Sequence, residues 1–169
     1  MKVETSPRGQ TMGQGRVLRP VLLLAAVLAV AAALHLADHA IRGEIVDDHG
    51  LIPEWDHSGW PFQDEVTPFT PSLAIPLLFM AGIFLTLRRR VLARFWLVLT
   101  IVVGAVVVAV HFAPGDQTET LGVIYRTYDH GGWSAVWGAL AVANVVLIVT
   151  ALVALSVLAA RLRRGAPRR

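Results

Sequence analysis

The sequence predicts an all-α membrane protein: four transmembrane helices in a bundle, both termini cytoplasmic, and two outer loops forming a small cap. Three observations carry this. Apolar residues make up 55% of the 169 positions and mean hydropathy is +0.59, too apolar for an ordinary soluble domain of this length. Ionisable residues are bunched between apolar runs long enough to cross a bilayer. The charges also sort by sign from one inter-run segment to the next.

Residues 1–15 are polar and Gly-rich without apolar periodicity and read as a disordered cytoplasmic tail. Residues 16–164 form a single transmembrane domain, and 165–169 a basic cytoplasmic tail. Arg16 and Arg19 precede Pro20, a residue suited to a first helical turn, and the first span covers about 20–41. A cleaved signal peptide with Ala31-Ala32-Ala33 as its cleavage motif is the alternative. The apolar run continues past those alanines, which favours a span.

The first outer loop, 43–70, carries seven acidic residues, no Lys or Arg, and the turn formers Gly50, Pro53, Gly59, Pro61 and Pro68. Trp55, Trp60, Phe62 and Phe69 suit it to lie against the membrane surface. A second span covers about 71–87, with Pro76 one turn in, where it is expected to bend the helix. Arg88-Arg89-Arg90 ends that span, and the third covers about 95–113, with Trp96 expected at the inner interface. The second outer loop is 114–133 and the fourth span about 134–160, ending at Arg161, Arg163 and Arg164.

Thirteen of the fifteen Lys and Arg residues fall in the N-terminal tail, the Arg88–Arg94 turn and the C-terminal tail, with only one of twelve acids, Glu4. The positive-inside rule then puts both termini in the cytoplasm, the expectation for a multi-pass plasma-membrane protein. All six histidines (His35, His39, His49, His57, His111 and His130) and four of five tryptophans lie on the other side. Chemistry therefore belongs at the outer face.

Small residues should set the packing: the alanines of the first span, and Ala135, Ala139 and Ala143 beside Gly138 in the fourth. Asn144 is the one amide deep within a span and should find a partner inside the bundle.

The site candidate is His35-Leu36-Ala37-Asp38-His39. If the helix continues through it, His35, Asp38 and His39 share a face at i, i+3 and i+4. They could bind a metal ion together with His111, and Asp56, His57, Asp129 or His130 could complete the shell. Imidazole and carboxylate without thiolate suit Zn, Mn, non-haem Fe or Cu. The structural alternative is an interfacial hydrogen-bonded belt in which Asp38 pairs with Arg42 at i+4. Haem ligated by His35 and His111 ranks behind a simple ion, because two histidines at similar depth are its whole support. Asp56-His57-Ser58 holds the residue types of a hydrolytic triad, but adjacency in sequence is no evidence of a triad's geometry. Six histidines among acids would also change charge between about pH 7 and 5, as a sensor does.

Other classes are excluded or unsupported. The chain has no cysteine, which removes disulfide, thiolate-metal and thiol redox chemistry. The pI near 10.2 reflects arginines flanking apolar runs, so no nucleic-acid partner is implied. No phosphate loop, dinucleotide fingerprint or kinase signature is present. The abundance of Arg, Ala and Val hints at a bacterial source. The expected partners are the lipid bilayer and, at the outer face, a protein partner or a second copy. The competing reading is a non-enzymatic scaffold or accessory subunit whose Trp-rich first loop docks that partner.

Overall fold

A computed structural model describes residues 8–48, 72–88, 92–112, 120–130 and 135–165. These residues form five helices: α1 (Arg8–Asp48), α2 (Ala74–Arg88), α3 (Ala93–His111), α4 (Leu121–His130) and α5 (Ala135–Gly165). Val17–Gly43 of α1, all of α3 and Ala135–Arg164 of α5 are long and apolar enough to cross a membrane. α2 is apolar but only 15 residues long, a rise of about 22 Å against a hydrocarbon core of about 30 Å.

α1 is longer than the expected span at both ends. It begins at Arg8, inside the segment read as a polar tail, because extending an existing helix costs little once it is nucleated. It also continues through Gly43 to Asp48, so the start of the expected first loop is helical. The extension is held by tertiary packing: Ile45 is buried with Ile124, Tyr128, Ala141 and Val145. Residues 49–71, with His49, Asp56, His57 and the aromatics of the first loop, lie outside the described residues.

The second loop also differs from expectation, because half of it, Leu121–His130, is α4. Thr120 caps this helix, its Oγ1 accepting the Val123 N–H at 3.3 Å. Ile124 and Tyr128, one turn apart, are buried against α5. Gly138 of α5 permits the approach: a Cβ there would lie 2.9 Å from the Tyr125 carbonyl oxygen.

α5 packs along both α1 and α3, and α2 packs mainly along α1. Val21, Ala25, Leu28, Phe79, Trp96 and Leu155 form the centre of the main core. Trp96, near the start of α3, is fully buried within the bundle; its Nε1 donates to Thr86 Oγ1 at 3.0 Å. The space comes from Gly82, where a Cβ would stand 2.5 Å from Trp96 Cη2. Thr100 Oγ1 donates back to the Trp96 carbonyl at 2.8 Å and accepts from Ser156 Oγ at 2.7 Å, tying α3 to α5.

Two further expectations are corrected. Pro76 is buried in the first turn of α2, where its missing N–H costs no helical bond, so it does not interrupt the helix. Ala135, Ala139 and Ala143 are exposed, and α5 buries Gly138, Ala141, Val145 and Ile148 instead. The alanines of α1 do pack, with Ala25, Ala29, Ala31 and Ala32 buried. Exposed Leu77, Met80, Phe84, Val98, Ile101, Val102, Leu147 and Val153 give the assembly an apolar exterior suited to lipid.

Candidate functional site

α1 stays helical through His35-Leu36-Ala37-Asp38-His39, so His35, Asp38 and His39 lie on one face. This face is turned inward: Asp38 and His39 are buried, and the His35 side chain is 14% exposed. Asn144 pins the neighbouring helix one turn below, its Nδ2 donating to the Ala31 carbonyl at 3.0 Å. The buried amide thus has the partner that its depth requires.

His111, the last residue of α3, is buried at the same end. The backbones of α1 and α3 scarcely touch, yet their imidazoles meet. His35 Nε2 lies 3.1 Å from His39 Nε2 and 3.2 Å from His111 Nε2. Both neighbouring rings stand edge-on to His35, at interplanar angles of 75° and 71°. Two imidazole nitrogens, one from α1 and one from α3, therefore flank His35 Nε2.

Asp38 is otherwise engaged. Its Oδ2 accepts from Arg42 Nε at 2.9 Å, the i, i+4 pair expected from the sequence. Its Oδ1 accepts from the Tyr128 hydroxyl at 2.5 Å, which links α4 to α1. Oδ2 also lies 4.0 Å from His35 Nδ1, on the side of that ring away from the other histidines. Arg42 is only 2% exposed, so this is a buried ion pair and removal of either member would strand a charge. Burial and the hydrogen bond to ionised Asp38 push the Tyr128 phenol well above its ordinary pKa, outweighing the opposite pull of Arg42.

Of the residues expected to form the site, His35, His39 and His111 are brought together, and Asp38 sits beside them in a separate ion pair. The Asp129 and His130 side chains, like all of Asp56 and His57, lie outside the described residues. Tyr128 was missed by sequence reasoning. Its signal was the helical spacing of Leu121, Ile124 and Tyr128 behind Thr120, readable as a capped amphipathic turn.

The cluster can do two things chemically. As it stands it is a hydrogen-bonded set: among the described residues, no group of three or more His, Cys, Asp or Glu side chains is arranged to hold a metal ion. The second is ligation, which imidazole nitrogens perform only through an unprotonated lone pair. Nitrogens bound tetrahedrally at 2.0–2.1 Å stand about 3.3 Å apart, close to the 3.1 and 3.2 Å seen here. Haem fits poorly, since axial nitrogens on opposite faces of one iron must stand about 4 Å apart with a porphyrin between them. Comparison with protein-family models, curated proteins and solved structures finds no match to this chain.

Proposed function

We propose that this chain is a four-span plasma-membrane protein, both termini cytoplasmic, that holds a divalent transition-metal ion at its outer face through His35, His39 and His111. The observation carrying the site is the gathering of three Nε2 atoms, His35 being 3.1 Å from His39 and 3.2 Å from His111. A neutral Nε2 has either one lone pair or one N–H to share between two neighbours, so the hydrogen-bonded arrangement is poorly matched. A cation accepts all three lone pairs at once. With Asp38 committed to Arg42 and Tyr128, the donor set is imidazole, which favours Zn or Cu over the more oxygen-seeking Mn.

The orientation rests on charge. Arg88, Arg94, Arg161, Arg163 and Arg164 are exposed at helix ends on the side away from the histidines. In this reading α2 is the second of the four spans.

The test is purification in detergent without a polyhistidine tag, followed by metal analysis by mass spectrometry. The expected result is about one Zn or Cu per chain, lost on His35→Ala and strongly reduced on His39→Ala or His111→Ala. Substoichiometric metal in every preparation, unchanged by the substitutions, would overturn the site. The histidines would then be hydrogen-bonders joining α1 to α3, favouring the scaffold reading. Orientation is tested with single cysteines at Ser58 and Arg89 and an impermeant thiol reagent on intact cells. Labelling at position 58 alone is expected; labelling at 89 alone would reverse the topology.

A further inference from the structure

The side of His35 facing away from the cluster carries a device of its own. Asp38 stands one turn along α1, with Oδ2 4.0 Å from His35 Nδ1. The carboxylate cannot easily turn away. Arg42 Nε holds Oδ2 at 2.9 Å, and the Tyr128 hydroxyl, arriving from α4, holds Oδ1 at 2.5 Å. Neither partner belongs to the three-histidine set. Together they hold an anionic oxygen toward the nitrogen of His35 that the metal would not use.

We infer that Asp38 is a positioning residue: it keeps His35 in the Nδ1–H tautomer and leaves Nε2 bare toward His39 and His111. The identification of that bare nitrogen as a metal ligand rests on the reading proposed above; the tautomer does not. At 4.0 Å the carboxylate is beyond hydrogen-bond distance and acts on the ring through its charge, which favours a proton on Nδ1 over one on the far side of the ring. The remaining geometry agrees. In the absence of metal a bare Nε2 offers its single lone pair between the rings of His39 and His111, at 3.1 and 3.2 Å, a mismatch that a cation would relieve. It becomes a ligand when those rings give up their Nε2 protons. α4 enters the arrangement through Tyr128, which makes a helix of the second inter-span segment part of the support for His35.

The test separates the two levels. In metal-free protein labelled with 15N-histidine and held in detergent micelles at about pH 8, long-range proton–nitrogen correlation spectra report each neutral ring's tautomer. His35 is identified by the resonance lost in His35→Gln. The expected result is Nδ1–H for His35 in the wild type, shifting toward Nε2–H in Asp38→Asn. Zinc affinity, measured by competition with a chromophoric chelator, should fall about 10–100-fold in Asp38→Asn and recover in part in Asp38→Glu. A wild-type His35 carrying its proton on Nε2 overturns the inference even if Asp38→Asn fails to fold. Equal zinc affinity in wild type and Asp38→Asn overturns it as well. A wild type that binds no zinc yet shows Nδ1–H at His35 defeats the metal reading and leaves the role of Asp38 intact.

Discussion

Replacing Tyr128 by Phe removes one oxygen atom and leaves the rest of its packing in place. The ring keeps its contacts with Ile45, Ile124, Ala141 and Val145, all buried in one cluster. The loss is the 2.5 Å hydrogen bond to Asp38 Oδ1, in a setting where Asp38 is only 8% exposed and water cannot readily replace the phenol. Hydrogen bonds to ionised groups contribute about 1.5–3 kcal/mol net, equivalent to about a 10–150-fold change in an equilibrium constant. Because the bond joins α4 to α1, the cost should fall on docking of α4 and not on the main core around Trp96. The assay is amide hydrogen exchange by mass spectrometry in detergent. Peptides covering 121–130 should exchange about 10–150-fold faster, while peptides from the middle of α3 and α5 keep wild-type protection. A double-mutant cycle with Asp38→Ala should be strongly non-additive, because each change removes the bond between Tyr128 and Asp38. Protection of α4 within about threefold of wild type would refute the reasoning, as would additivity of the two substitutions.

Two further outcomes follow from the same geometry. Gly82→Ala places a Cβ 2.5 Å from Trp96 Cη2 and 2.6 Å from Phe95 Cε1. Overpacking of this kind costs about 1–3 kcal/mol, so denaturant titration in mixed micelles should show clear destabilisation; wild-type stability would mean that Trp96 is not held as described. The raised pKa of Tyr128 gives a signed pH dependence. The fold favours the protonated phenol, so this stability is complete below the unfolded value of about 10 and is lost as pH climbs toward the raised folded value. In a Tyr125→Phe background, absorbance titration at 295 nm should show Tyr128 ionising later in the folded protein than in denaturant, and coincident curves would contradict the burial.

The sequence by itself determined the membrane character of the chain and the face shared by His35, Asp38 and His39. Apolar runs of spanning length need no tertiary information to be recognised, and i, i+3, i+4 adjacency follows from helix geometry once the helix is granted. The pairing of Asp38 with Arg42 is local in the same sense. That His111 stands at a similar depth was legible too, because depth is counted along a helix.

Only the tertiary structure decided which nitrogens meet and what Asp38 touches. The contact of His35 with His111 spans 76 residues, and that of Asp38 with Tyr128 spans 90. Both depend on how α1, α3, α4 and α5 are set against one another, which no local periodicity encodes. Trp96 makes the point from the other direction. Beside Arg94 it has the sequence setting of an interfacial tryptophan, and at that end of α3 it is buried within the bundle because Gly82, on another helix, leaves room for its ring. Asp38 likewise has the spacing of a metal ligand on its own helix. It sits in a buried ion pair behind His35 because a tyrosine from α4 and an arginine one turn away reach its oxygens at hydrogen-bonding distance.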